Sequence, residues 1–521
     1  MVKWISRRSS EPLLGVRIPP GAHYTMATKI KRGAIPNEVT RVTETLNKAG
    51  FEAYLVGGCV RDLLMDITPK DWDITTDALP EKIIELFPKT VYENSFGTVA
   101  VVAEGGVSHE TVRLVEVTTY RIDSEYGDFR HPNSVTFSKK IEDDLKRRDF
   151  TVNAIAYDPI KDIIVDVFDG QTDLKDKVIR AVGNPKDRFN EDALRMLRAV
   201  RFSTALGFAI AGETLSAIAE GSALIEKIAA ERIRDEFIKI INSKDPMLGI
   251  GLLLRLKLLD YVAPELLEGV GCEQKGEHIY DVFEHILHAL GHAAEKGWDL
   301  EIRLAALFHD IGKPRTRRWD GTKAGGKGKY TFYGHEVIGA QMTKKILERL
   351  KFPRVTTEKV VSLVRYHMFF SDTETITLSA VRRTIVNVGR ENVWDLMKVR
   401  ECDRVGMKKK EAPYRLRKYH AMIEEALRAP TSVAMLKING DYLIHEMGMP
   451  PGKRMGWILH ALLEECLVDD TKNNLEYLKE RALTLSKLDD TSLKSLGEKG
   501  KERKEEREGE ALTQIRKKHG L

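Results

Sequence analysis

Asp71 and Asp73 lie two residues apart in the string Lys70-Asp71-Trp72-Asp73-Ile74, on what reads as a strand. Strand side chains alternate, so both carboxylates project to one side while Trp72 and Ile74 project to the other. Two carboxylates on one face can hold a hard divalent cation together with the phosphates of a substrate. About a dozen residues upstream, the apolar Tyr54-Leu55-Val56 runs into Gly57-Gly58 and then into the helix-like Cys59-Val60-Arg61-Asp62. Glycines between a strand and a helix let backbone amides come close to a phosphate. Either element alone is as well explained by a turn or a solvated edge; together, at this spacing, they describe nucleotidyl transfer.

A second set of side chains lies further along. His285 sits on an amphipathic helix, His309-Asp310 ends another, and His335, His367 and Asp403 follow. A lone histidine on an apolar helix is usually a packed core residue. Four histidines and two aspartates in this order, with Gly312 just after the His-Asp pair, resemble an HD-type metal-dependent phosphohydrolase domain. His285, His309, Asp310 and Asp403 form the main ligand set, with His335 and His367 as subsidiary candidates. Imidazole with carboxylate suits a transition metal better than magnesium.

Between these sets, Asp192, Arg195, Arg198 and Arg201 recur every third residue, which on a helix makes a slowly drifting ladder beside Leu194, Leu197 and Val200. A solvated charged face is one reading. The other is a base reader: cytosine and adenine each present an exocyclic amine beside an acceptor nitrogen, so a carboxylate next to a guanidinium accepts both and refuses uracil and guanine. Asp192 and Arg195 supply that pair, leaving Arg198 and Arg201 to stack on the base or hold phosphate.

The elements that must position these groups read as α/β up to about residue 165 and helical afterwards. Helical period is clear over 191–206, 214–241, 278–296, 299–311 and 335–350. At roughly 100 to 200 residues per domain, 521 residues hold several domains, which excludes a single small binding module. With 42% hydrophobic and 31% charged residues the composition is that of a globular protein. The most apolar stretch, Met247 to Leu267, is interrupted by Arg255 and Lys257, so no membrane span is expected. Cys59, Cys272, Cys402 and Cys466 show no paired spacing for a zinc clip or a disulfide framework, and a reducing cytoplasm fits.

The net charge of +5 is concentrated at the ends; residues 1–25 and 494–521 each carry +3, and the chain between them carries −1. RNA contact therefore has to come from local patches. One runs from Lys313 to Lys329, with seven basic residues and one Asp, including Lys313, Arg315, Arg317 and Arg318, and with Trp319 and Tyr330 among them. The other, from Lys408 to Lys418, has six basic residues and one Glu, starting with Lys408, Lys409 and Lys410. The first 25 residues have neither a signal-peptide core nor a helical period, and Val16-Arg17-Ile18-Pro19 can be encoded by the T-loop sequence of a tRNA gene. They read as a mis-annotated leader, with Met26 as the start.

The strings LVGGCVRDLLM, PKDWDITTDA, FGTVAVV, VEVTTYRIDSEYGDFRHPNSVTF, DDLKRRDFTVNAIAYD and EDALRMLRAVRF together resemble the bacterial CCA-adding enzymes, tRNA nucleotidyltransferases of the class that shares its head with bacterial poly(A) polymerases. The resemblance runs from about residue 35 to 480. It implies an α+β chain: a polymerase-beta-like nucleotidyltransferase head (26–165), a helical neck (166–270), an HD domain (271–425), C-terminal helices that contact tRNA (426–488) and a charged tail (489–521). It implies that Gly58 and Arg61 bind a nucleoside triphosphate, that Asp71 and Asp73 bind Mg²⁺, and that Arg148 joins them as a catalytic and nucleotide-binding residue, with Asp149 and Asn153 shaping the pocket. Asp192 and Arg195 match the family's template motif, and Glu116 is either a third metal-side carboxylate or a fold-supporting hydrogen-bond partner. The implied activity adds C, C and A to tRNA from CTP and ATP; the HD site is a further candidate phosphohydrolase on RNA ends. Addition of A alone, and an HD phosphohydrolase whose head only binds RNA, stay open at this point.

Overall fold

The computed structural model describes residues 30–94, 97–102, 114–123, 135–274, 279–320, 329–368, 376–406, 413–428 and 433–497. The leader, Lys408, Lys409, Lys410 and the tail beyond 497 lie outside these residues. The chain divides between Val262 and Ala263 into two compact units, so the expected head and neck share the first of them.

The first unit is built on a mixed seven-stranded sheet. Its strands are β1 (Ala53–Val56), β2 (Trp72–Thr76), β3 (Thr90–Asn94), β4 (Thr98–Val102), β5 (Leu114–Thr119), β8 (Ile155–Asp158) and β9 (Ile163–Asp166), in the spatial order β3-β4-β5-β2-β1-β8-β9. The short pair β6 (Arg121–Asp123) and β7 (Val135–Phe137) stands apart from it, as does the parallel pair β10 (Val178–Ile179) and β11 (Ala209–Ile210). β2 runs parallel to β5 and antiparallel to β1. Trp72, Ile74, Val115 and Val117 are buried, so the alternation of both strands leaves Asp73 and Glu116 on the other side of the sheet. Register places Asp73 directly opposite Glu116.

Two of the expected helices are interrupted. The stretch 191–206 breaks at Asp192, whose backbone is extended (φ −142°, ψ 101°), between the helices Pro185–Glu191 and Leu194–Leu206. The stretch 214–241 resolves into Gly212–Gly221, a 3₁₀ turn at Ser222–Lys227, and Ala230–Ile241, with Ile228 and Ala229 extended between them. Apolar periodicity continues across both breaks because the flanking helices share one core, so the pattern alone does not reveal them.

The second unit is helical apart from the hairpin β12 (Arg318–Asp320) and β13 (Lys329–Thr331). Asp281 caps the helix Val282–Glu295 by accepting from the Glu284 amide at 2.7 Å, and Val282, Ile286, Ala289 and Ala293 bury one stripe of that helix. The helix Leu300–Phe308 is buried over Ile302 to Phe308 and carries His309 at its end. Towards the C-terminus, Lys453–Val468 and Leu475–Ser486 build a separate apolar cluster. Helical structure continues over 490–497 and seats Leu493, fully buried, in that cluster, so the charged tail begins later than residue 489. Two leucines three apart, Leu493 and Leu496, are too weak a periodic signal to mark that last turn. Among the described residues no helix is long and apolar enough to cross a membrane, and all four cysteines are buried and unpaired.

Gly312 links this architecture to chemistry. A Cβ there would lie 2.2 Å from the His335 carbonyl and 2.6 Å from the Gly339 amide nitrogen, both backbone atoms of the facing helix His335–Arg349. Only glycine lets that helix settle directly onto the turn after His309-Asp310. Gly312→Ala is expected to destabilise the second unit by about 1–3 kcal/mol through overpacking, read as a lower midpoint in urea unfolding.

Candidate functional site

In the first unit, β1 ends at Gly57, whose φ of +81° is the left-handed region that glycine tolerates best. The approach is close: a Cβ at Gly57 would lie 2.9 Å from Arg148 Nη1 and 3.6 Å from Asp73 Oδ2. Gly58 then opens the helix Gly58–Leu64. Burial raises the pKa of the Asp73 carboxyl, the Arg148 guanidinium opposes that, and Asp71 adds to it. Asp71 is exposed and precedes β2, so the pair straddles the start of the strand instead of sharing its interior. Glu116 lies beside Asp73 in register on the adjacent strand, and Asp71 stands at the mouth of β2.

Arg61 and Arg148 are held by different partners. Arg61 donates to Asn153 Oδ1 at 2.8 Å and to Asp62 Oδ1 at 2.9 and 2.7 Å. Arg148 donates to the buried Asp144 at 3.1 Å, and its buried Nε has no hydrogen-bond partner among the described residues. Asp149 accepts from Asn153 at 3.2 Å, from the Phe150 amide at 2.8 Å and from Arg198 Nε at 2.8 Å. Burial works against its charge, but the Arg198 guanidinium and these hydrogen bonds hold its pKa down to about 2. Arg198 therefore ties the helix Leu194–Leu206 to the pocket. Arg201 likewise pairs with the buried Glu236, at 3.2 Å, and lies 4.1 Å over the Phe202 ring.

The expected Asp192 and Arg195 pair is arranged differently from a ladder. Asp192 sits in the break before the helix and bonds Arg232, Oδ1 at 3.3 Å and Oδ2 at 2.8 Å, while Oδ1 also accepts the Leu194 amide at 3.0 Å. Arg195, buried, donates to Glu191 at 2.7 Å and to the carbonyls of Arg188 and Arg147 at 3.1 and 3.0 Å. A carboxylate has about four acceptor sites and a guanidinium five donors, so each of these groups keeps capacity for a base edge. Arg232, Glu191, Glu236 and Phe202 were not among the sequence candidates. Arg232 lies 40 positions from Asp192, and nothing in the local spacing joins them.

In the second unit all six candidate ligands converge. His285, His309, Asp310 and Asp403 form one buried group, Asp310, His335 and His367 another, and Asp310 belongs to both. Asp310 Oδ2 is 3.3 Å from Nε2 of both His285 and His309; Oδ1 is 3.2 Å from His335 Nε2 and 3.7 Å from His367 Nε2. The Nδ1 atoms of His309, His335 and His367 lie 2.8, 2.7 and 2.6 Å from the carbonyls of Ala306, Phe332 and Val364. A neutral imidazole that donates from Nδ1 must present a lone pair at Nε2, so three rings are set as ligands pointing inward. Neither Asp310 oxygen makes a well-directed hydrogen bond among the described residues, as suits atoms that coordinate a cation. Burial opposes charge on His309, but Asp310 and Asp403 raise its pKa to about 10, so without a metal this ring carries a proton at Nε2 that a bound cation would displace. Lys313 was expected to meet RNA; instead it is buried, with Nζ 2.5 Å from Asp310 Oδ2 and 2.7 Å from Gln274 Oε1. Arg315 pairs with Glu268 at 2.6 Å, Arg317 lies over Tyr330, and Arg318 is exposed.

The strand-borne carboxylates, the glycine turn and the arginines around them define a nucleotidyltransferase head, followed by a metal-competent HD domain. Residues 53–180 match the poly A polymerase head domain, 207–269 the probable RNA and SrmB-binding site of polymerase A, and 282–412 the HD domain. The CCA-adding enzyme of Ligilactobacillus salivarius is 32% identical over 460 residues, covering 87% of this chain and 98% of that one. That of Enterococcus faecalis is 46% identical over 248 residues, 46% of this chain and 58% of its own. The Bacillus stearothermophilus CCA-adding enzyme, solved in complex with CTP, superposes with a TM-score of 0.64 at 28% identity, covering 87% of this chain and all (100%) of that one. The chain belongs to the family of CCA-adding enzymes.

The Asp149 centre makes a measurable claim. Its folded pKa of about 2 lies below the unfolded carboxylate value, so its stabilisation is present above about pH 4 and is lost as pH falls towards 2. Asp149→Asn is expected to cost about 3 kcal/mol at neutral pH by leaving Arg198 without its counter-charge. The gap to wild type should narrow by roughly 2 kcal/mol between pH 5 and pH 2, measured by urea unfolding across that range.

Proposed function

We propose that the chain adds C, C and A to the 3′ end of tRNA, drawing on CTP and ATP and releasing pyrophosphate. The observation that carries this reading is the Asp73 carboxylate held beside Gly57, Arg148 and Glu116, in a chain of this family. The amides around Gly57 and Gly58, with Arg61, receive the triphosphate. Asp71 and Asp73, with Glu116 as a third carboxylate, hold Mg²⁺, which when bound neutralises charge developing on the phosphoryl oxygens. Arg148, whose Nε lacks a partner, faces the same charge. The base is read by the remaining acceptor site of Asp192 and the remaining donors of Arg195. Arg232 and Glu191 fix the two groups in place.

A second activity is supported by the inward-set imidazoles: His285, His309, Asp310 and Asp403, with His335 and His367, would hold a transition metal that supplies a Lewis acid for hydrolysis of a phosphomonoester or a 2′,3′-cyclic phosphate on RNA ends. A protein acting on tRNA, with no helix among its described residues able to cross a membrane, suits the cytoplasm.

Radiolabelled CTP and ATP offered with tRNA lacking one, two or three terminal nucleotides separate full CCA addition from addition of A alone. In that assay Asp71→Ala or Asp73→Ala should lower both C and A addition by at least on the order of a hundredfold with tRNA binding retained; either variant keeping a tenth of the wild-type rate would contradict the assignment. His309→Ala combined with Asp310→Ala should abolish metal-dependent hydrolysis and spare nucleotide addition. Asp192→Ala leaves a donor that uracil O4 also accepts. The preference for CTP over UTP, as a ratio of kcat/KM values, should therefore fall by about tenfold to a hundredfold, and an unchanged ratio would make the Asp192 strip purely structural.

A further inference from the structure

Between two of the converging ligands, Asp310 and His335, the chain makes the β12–β13 hairpin. Trp319 and Tyr330 are paired across it, with ring centroids 4.9 Å apart and planes at 67°. The Arg317 guanidinium lies 3.6 Å over the Tyr330 ring. Arg317 and Trp319 are two apart on extended backbone, so the three side chains share one face. Trp319 is 54% exposed there. Among the described residues no carboxylate pairs with Arg317, and its Nε has no hydrogen-bond partner, whereas its neighbour Arg315 is neutralised by Glu268. Stapling a short hairpin explains an aromatic cross-strand pair, but not an exposed indole beside a cation without a counter-charge.

The ledge is also wired to the metal-competent centre. β13 ends at Thr331, and the next residue, Phe332, gives its carbonyl to His335 Nδ1 at 2.7 Å and its ring to Lys313 Nζ at 5.7 Å. Lys313 in turn touches Asp310.

We propose that the Arg317–Tyr330–Trp319 face is the nucleotide subsite of the HD centre, holding the last nucleotide of an RNA strand that ends in phosphate: the base stacks on Trp319 and Arg317 takes the phosphodiester. This rests on the HD centre being a phosphohydrolase for RNA ends, and explains how such a centre selects RNA over other phosphate esters. The test uses the full chain with added Mn²⁺, offered a short RNA ending in a 3′-phosphate and, separately, glycerol 2-phosphate, which has no base to stack. Trp319→Ala should raise KM for the RNA about tenfold and lower the RNA-to-glycerol-phosphate ratio of kcat/KM by the same factor, with Trp319→Phe restoring both and thermal melting confirming the fold. A ratio left unchanged would overturn the subsite. If wild type hydrolyses neither substrate, the HD reading fails, and a second measurement decides the ledge independently: RNA carrying 5-iodouridine at its 3′-terminal position is irradiated with the protein and the cross-linked peptide mapped. Cross-links on Arg317 to Tyr330 support the subsite; their absence from that peptide refutes it.

Discussion

The ion pair between Asp149 and Arg198 is the constraint on which the nucleotidyltransferase unit depends. Asp149 follows Arg148 in sequence and accepts from Asn153, which accepts from Arg61, while Arg198 reaches it from the helix that begins just after Asp192. One buried carboxylate thereby joins the helix that carries Arg61 to the helix Leu194–Leu206. Phe202 completes the joint: its ring lies 5.4 Å from the guanidinium carbons of both Arg61 and Arg198, and 4.1 Å from that of Arg201. Three cations around one aromatic face repel one another, so their placement needs the counter-charges of Asp62, Asp149 and Glu236. This network crosses from the head to the helices that follow within the one compact unit ending at Val262.

The buried carboxylates of the two units are balanced in different ways. Around Asp149 the charge is balanced from within by arginine, and the carboxyl pKa falls. At Asp73 burial prevails over Arg148 and the carboxyl pKa rises, which leaves a demand for a cation from outside. In the HD centre Asp310 and Asp403 face four imidazoles, three of them fixed by backbone carbonyls with Nε2 inward, and both carboxyl pKa values fall beside Lys313 at Asp310 and Arg400 at Asp403. Preset tautomers reduce the reorganisation needed when metal binds. Gly312 makes that geometry attainable, since any larger residue would hold His335 away from His309.

Much of this was legible in the sequence because it is local. The alternation of Asp71-Trp72-Asp73, the Gly57-Gly58 turn, and the order of four histidines and two aspartates all state their chemistry within a few residues, and the six ligands do converge. Amphipathic helices such as Val282–Glu295 were readable from their apolar spacing. Spacing misled where a backbone break interrupts a shared apolar face, as at Asp192, and where a basic side chain turns inward, as at Lys313. A sequence pattern records which residue types occur, but the direction of a long side chain depends on what is packed beside it.

The sequence by itself determined the residue classes: paired carboxylates at the start of a strand, glycines at a strand-to-helix turn, imidazoles grouped with carboxylates, and helical faces to carry them. Tertiary structure decided the partners. Arg232 came to Asp192 across 40 positions, Arg198 to Asp149 across 49, and Glu116 to Asp73 through parallel strand register. It also divided the basic run after His309-Asp310 into a lysine on the HD centre, an arginine on Glu268 and an arginine stacked on Tyr330. Short-range periodicity follows from backbone geometry, which every residue carries with it. Ion pairing between distant segments follows from where the chain returns, and that is set only when the whole core closes.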